Sequence, residues 1–278
     1  MTTQVFAGIS ALPADDSPNQ KCWYRPTFSP EHGVLLVLLG AVLTGAALAQ
    51  AWTTETSWAC LATFLALQAE HPVVVQIKRR RKWRPRYVVW AGVYGGLAIA
   101  IALFLCLRHP VLFWVVGAAL IALSIDVLSV LNRSQKSSFN EIVMFSAICL
   151  STLFAYGATA GTLTTQSLGL WILNSLFFSS AVFSVKLRKS KTRSLKHGII
   201  YHSIAASMIV LLYGVGWLSL LTALGFAIAS IKLLTIACCK QWYQTCRFEH
   251  IARFETYFAL IYTALIALTV LPAKLPVS

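Results

Sequence analysis

Glu70 and His71 stand side by side inside an otherwise apolar run, Trp58 to Lys78, with Pro72 directly behind them. A carboxyl group and an imidazole held away from bulk water are the usual instruments of general acid–base chemistry. Neither is needed there for helix capping, because the run continues on both sides. Pro72 has no amide hydrogen to give a helix, so a carbonyl one turn back is freed. Membrane helices tolerate such a gap where it lines a cavity. The pair Glu70–His71 is therefore the candidate catalytic centre.

Other polar groups fall at comparable depth. Glu31 and His32 sit in Pro30-Glu31-His32-Gly33, just before the first apolar stretch, and Asp126 lies inside the fourth. Glu141 opens the fifth, Lys186 closes the sixth, His202 follows Tyr201 in the seventh, and Glu255 begins the last. An ionisable group at a helix centre in lipid costs roughly 2.5–3.5 kcal/mol on insertion scales, so such groups tend to face one another or water. The expectation is one hydrated cavity lined by Glu31, His32, Glu70, His71, Glu141, His202 and Glu255, with Asp126 and Lys186 as further substrate-binding candidates. A simpler account competes for three of them. Glu31, Glu141 and Glu255 each begin a helix, where a carboxylate is favoured by about 0.3–1 kcal/mol. Asp126 has two candidate partners, Arg133 and a neighbouring helix, and Lys232 is expected to snorkel toward the interface.

These residues must be carried by membrane helices. Of 278 residues, 58% are hydrophobic and only 12% charged, beyond the apolar share of a soluble domain. A spanning helix needs roughly 20 apolar residues, and nine such stretches occur, at about 34–52, 57–77, 87–107, 110–131, 141–160, 167–187, 198–214, 217–237 and 254–271. The alternating ten-residue strands of a membrane β-barrel are absent from the sequence. The predicted fold is all-α: a polytopic transmembrane helical bundle over residues 30–278, preceded by a cytoplasmic tail, 1–29. The break at Gly214-Val215-Gly216-Trp217 leaves open whether spans seven and eight are separate.

The net charge of +14 is a topology signal. With nine spans, all Lys and Arg except Arg108 and Lys274 fall at one face, including seven basic residues in the nine from Lys78 to Arg86. The positive-inside bias makes that face, and the N-terminus, cytoplasmic. The 78–86 block is otherwise a contact for anionic lipid. No module for nucleic acid stands outside the spans. The seven cysteines show no CxxC and no metal-ligand spacing, so free thiols and no metal are expected. No motif names a cofactor. Haem held by His71 and His202 is the one cofactor arrangement the histidines suggest. The first 33 residues lack a signal peptide's layout, so the first span is the expected insertion signal. The expected location is a bacterial inner membrane or a thylakoid-type membrane, with membrane lipids as constant partners.

Pro30-Glu31-His32-Gly33, Asn140-Glu141, Val185-Lys186, Tyr201-His202 and Arg253-Phe254-Glu255-Thr256 together resemble the YwiC-like family over roughly residues 28–272. The resemblance implies this architecture and no particular reaction. It departs before the span-2 proline, where the family is expected to carry arginine and this chain has Glu70-His71-Pro72. The nine-span plan is also similar to that of the UbiA-type prenyltransferases. Their aspartate-rich, magnesium-holding motifs are missing, and the loop after the sixth span is basic.

Three classes of function fit these residues. The first is a membrane enzyme acting on a lipophilic isoprenoid- or quinone-type substrate, with Glu70 or His71 as acid/base. The second is a proton- or cation-coupled transporter using Glu70, Asp126 and Glu255, although the sequence shows no internal repeat. The third is a non-catalytic assembly subunit whose basic face docks a partner in a membrane complex.

Overall fold

A backbone crossing lipid must bond its own polar groups, and an apolar stretch of this length does so as a helix. The computed structural model describes residues 24, 26–28, 32–79, 84–188 and 194–271. Most of the tail, Glu31, the side chain of His32, Arg80 to Trp83 of the basic block, Lys189 to Arg193 and Lys274 lie outside the described residues. The chain forms α1 (His32–Ala49), α2 (Thr54–Arg79), α3 (Pro85–Arg108), α4 (Leu112–Leu131), α5 (Ser138–Ala160) and α6 (Thr165–Lys186). It continues as α7 (Lys196–Gly214), α8 (Leu220–Leu224), α9 (Ala227–Cys238), α10 (Lys240–Thr245) and α11 (Phe248–Val270). Eight helical stretches among the described residues are long and apolar enough to cross a membrane, α8 and α9 counting as one, and α1 is a shorter apolar helix beside them. The chain is a multi-pass integral membrane protein, and its outward helix faces contact lipid.

Two details differ from the sequence reading, and one that it left open is decided. Pro72 does not break α2, which runs through it from Thr54 to Arg79. α11 starts at Phe248, ahead of the expected 254, so Glu255 lies two turns inside the helix and not at its mouth. Spans seven and eight are separate. α7 ends at Gly214, Gly216 takes a φ of +77° that suits glycine, and Ser219 caps α8 by accepting from the Thr222 amide.

α5 and α6 form the centre. Every residue from Cys149 to Ala158 is buried, while α3 buries only Tyr94, Ala98, Leu105 and Cys106. α1 reaches this centre through small residues. A side-chain carbon at Gly40 would meet Thr263 of α11 at 2.7 Å, and one at Gly45 would meet the Thr152 carbonyl oxygen of α5 at 2.3 Å. Small residues are what let membrane helices approach this closely. Alternation of the spans gathers the described basic residues other than Arg108 and Lys232 at one end, where Lys186 reaches Ser138 and Arg188 reaches the Cys246 carbonyl. At the other end Arg108 pairs with Glu55 at 2.9 Å.

Asn174 of α6, fully buried, ties four helices together. Its amide donates to Thr44 Oγ1 of α1 and to Thr152 Oγ1 of α5, both at 2.9 Å, and its carbonyl oxygen accepts from the Tyr262 hydroxyl of α11 at 2.8 Å. The Tyr262 ring stacks on Phe177, with centroids 3.6 Å apart. Replacing Asn174 by Leu strands the Tyr262 hydroxyl and should lower stability by about 1–3 kcal/mol. Tyr262→Phe removes a single bond and should lose only about 0.6 kcal/mol, the average for hydrogen bonds between membrane helices. Thermal unfolding in detergent compares the two. Equal losses would show that Asn174 is not the hub.

Candidate functional site

One stripe of α2 points into a cavity near the basic end. Leu67, Glu70, His71, Val74 and Lys78 recur at helical spacing and all line it. The cavity holds about 130 Å³, and its other walls come from Val34 of α1, Asp126 of α4, the α4–α5 turn and the first turns of α5. Glu70, His71, Asp126 and Glu141 thus line one cavity; the sequence reading placed Glu70, His71 and Glu141 in a shared cavity and named Asp126 only as a further binding candidate.

The opposite wall is set by α5. Ser137 caps the helix by accepting from the Asn140 amide N–H, which fixes the first turn and turns the Asn140 side chain inward. Asn140 Nδ2 donates to Asp126 Oδ1 at 2.8 Å and to the Gln135 carbonyl at 3.3 Å. Asp126 therefore leans on Asn140 and not on Arg133, which is exposed. Asp126 and Asn140 are 1% and 2% exposed, yet Asp126 Oδ2 and Asn140 Oδ1 have no hydrogen-bond partner. Glu141 is ion-paired with Lys186 of α6, which also donates to Ser138 Oγ at 2.8 Å. That pair clamps α5 to α6 at the rim and neutralises Glu141 there.

A second cavity, of about 260 Å³, adjoins the first and shares Leu67, Glu70, Met144 and Ile148 with it. Its walls are otherwise mostly apolar, including Ala98, Ala102, Val115, Ala119 and Phe154. Ile99, Leu120 and Leu123 also line it and are exposed on the outer surfaces of α3 and α4. This cavity therefore reaches the lipid-facing side of the bundle.

His202 and Glu255 line neither cavity. They belong to a separate cluster among α6, α7, α9, α10 and α11. Lys232, 2% exposed, donates to Glu255 Oε2 and to Ser180 Oγ, both at 2.9 Å, and lies 5.4 Å from the centre of the Phe177 ring. It does not snorkel, because an acid and a hydroxyl meet it inside the bundle. Glu255 Oε1 also accepts from the Tyr243 hydroxyl at 3.2 Å. Burial, and then the neighbouring Glu255 charge, push the Tyr243 hydroxyl far above its ordinary value, so it remains a donor. His202 Nδ1 lies 2.8 Å from the Gly198 carbonyl and therefore carries its proton. Lys232 and Glu255 both act electrostatically on the ring. The single shared cavity expected from the sequence is in fact two polar clusters, since the packing of α9 and α11 on α6 takes Glu255 to Lys232.

Sequence reasoning passed over Asn140 as a site residue and misjudged Lys232. Asn140 was legible as the partner of Glu141 in the motif. Lys232 could have been flagged by its position, with six spanning residues still to the helix end at Cys238. Asn174 and Gln135 gave no signal at all. Among the described residues no group of three or more His, Cys, Asp or Glu is placed to hold a metal ion.

No curated protein and no solved structure matches the chain. One family model, described as YwiC-like protein, matches residues 28–156. The match covers a little under half of the chain, from ahead of α1 to the later turns of α5, and so contains every residue lining both cavities. The motifs at Val185-Lys186, Tyr201-His202 and Arg253 to Thr256 lie beyond it. Over residues 28–156, the part that carries the paired cavities, this chain is similar to the YwiC-like family.

Proposed function

We propose that this protein is a membrane-embedded enzyme acting on a lipophilic isoprenoid- or quinone-type substrate. The observation that carries the proposal is the position of Glu70, which lines both the polar cavity and the apolar one. An amphiphile has the matching shape, with its tail among the small apolar side chains of α2 to α5 and its head beside Glu70, His71 and Asp126. The exposed rim at Ile99, Leu120 and Leu123 supports entry from the bilayer between α3 and α4. Glu70 then stands where head meets tail and serves as acid or base toward the reacting atom, with His71 one residue on as its proton partner. Lys78 and Lys136, both at the cavity wall, mark its end toward the basic face, the cytoplasmic side in this reading.

The test is a comparison of lipid extracts by mass spectrometry between a deletion strain and the same strain carrying the wild-type chain or Glu70→Gln. The deletion is expected to lose an isoprenoid or quinone species. Glu70→Gln should restore about 10²–10⁴-fold less turnover than wild type at equal membrane abundance, the usual contribution of one acid/base group. An unchanged lipid profile in the deletion, or full restoration by both Glu70→Gln and His71→Ala, would reject the enzyme reading.

A further inference from the structure

Asp126 and Asn140 are the most deeply buried polar pair in the cavity wall, and their bonding is half complete. Both hydrogens of the Asn140 amide are used, one on Asp126 Oδ1 and one on the Gln135 carbonyl. The Gln135 carbonyl can only accept, so the amide cannot be turned round to exchange its oxygen and nitrogen. Asn140 Oδ1 is thus an acceptor by necessity, and it has no donor. Asp126 Oδ2 is likewise without a partner. Leaving such atoms unmet in a buried site is costly, which points to an occupant that meets them.

We infer that the head group taken by this site is a hydroxyl, on an isoprenoid alcohol or on a quinol, in preference to a diphosphate or an oxidised quinone. The inference rests on the amphiphile reading of the two cavities and specifies its polar end. If Asp126 is ionised, the cavity offers two bare acceptors, and the occupant must donate. If Asp126 is protonated, it offers one donor and one acceptor. With Asp126 protonated, a hydroxyl accepts from Asp126 Oδ2 and donates to Asn140 Oδ1 and so completes the pair. With Asp126 ionised, the hydroxyl's one hydrogen meets one of the two acceptors. A diphosphate has no donor to give and would bring several negative charges against Asp126, Asn140 Oδ1 and Glu70. Lys78 and Lys136 are also at the wall, but they cannot supply a hydrogen to Asn140 Oδ1 through the ligand. A quinone carbonyl only accepts, so it leaves Asn140 Oδ1 bare in both states. Water that fills the site before binding is replaced with least loss by the group that best reproduces its hydrogen bonds. A hydroxyl keeps one of its donors and both its lone pairs, where an ether, a diphosphate or a quinone keeps no donor.

The experiment uses the full chain in lipid nanodiscs and follows ligand-induced shifts in thermal unfolding and binding isotherms. The probes share one tail: geraniol, its methyl ether and geranyl diphosphate, together with a short-chain ubiquinol and its oxidised ubiquinone. Geraniol or the quinol should bind at least about tenfold tighter than the ether, the diphosphate and the quinone, as expected for a hydrogen bond to a buried, otherwise unpaired acceptor. Binding by geraniol alone assigns an isoprenoid alcohol and binding by the quinol alone assigns a quinol; either supports the inference. Asp126→Leu should weaken the preference for alcohol over ether by at least about threefold relative to wild type. The wild-type ligand series decides the question even where that variant fails to fold. Equal or tighter binding of the ether or the diphosphate overturns the hydroxyl assignment while leaving the amphiphile reading intact. Competition of sodium or potassium ions with geraniol overturns it as well, in favour of a small-cation site. If no tailed probe binds, the amphiphile reading itself fails.

Discussion

Lys232→Ala is expected to destabilise the protein by about 3–5 kcal/mol, the range for removing one partner of a buried ion pair. The loss follows from what stays behind. Glu255 would keep only the Tyr243 hydroxyl as a partner, and its carboxylate would face a space left by a long side chain that is now 2% exposed. Replacing both members with apolar residues, Lys232→Met with Glu255→Leu, should recover most of the loss, because no uncompensated charge remains. Tryptophan-fluorescence melts in detergent measure both variants. A single variant within about 1 kcal/mol of wild type would mean that water reaches the pair and that the cluster is not a buried one.

Gly45→Val should have the next largest effect. Its first side-chain carbon alone would stand 2.3 Å from the Thr152 carbonyl oxygen and 3.1 Å from two further backbone atoms. Backbone cannot rotate aside as a side chain can, so α1 and α5 must separate. Overpacking of this kind costs typically about 1–3 kcal/mol, and this site belongs at the upper end because the separation also pulls Thr44 and Thr152 off the Asn174 amide. Gly92→Ala and Gly96→Ala are the controls. Nothing lies within 4 Å of a carbon added at either position, so both should gain up to about 0.5–1 kcal/mol from helix propensity. Melts showing Gly45→Val and the controls alike would remove the close α1–α5 approach from the account.

The helices were legible because their signal is simple. A long apolar stretch must be a helix in lipid, and basic residues such as Lys78, Lys186 and Lys196 mark where stretches end. The boundary that slipped, at α11, lies where Phe248 to Phe254 mix charge with apolar residues and the hydropathy edge is blurred. The site was legible in half. Glu70, His71, Asp126 and Glu141 meet because the α2–α4–α5 neighbourhood follows from nearby segments and short connections. His202 and Glu255 went elsewhere for a reason that depth alone does not encode. Polar residues at equal depth can face different partners around the bundle, and lateral position is set by packing. Glycines and an asparagine decide that packing: Gly40, Gly45 and Asn174 carry no charge and no periodicity, yet they bring α1, α6 and α11 into register.

α11 follows α6 and α9 in the chain, and it brings a partner to each: Glu255 for Lys232 and Tyr262 for Asn174. A nascent chain halted before Phe248 therefore holds an unneutralised lysine and an amide oxygen without its donor. α11 is thus a clasp, closing polar groups that the preceding helices leave open.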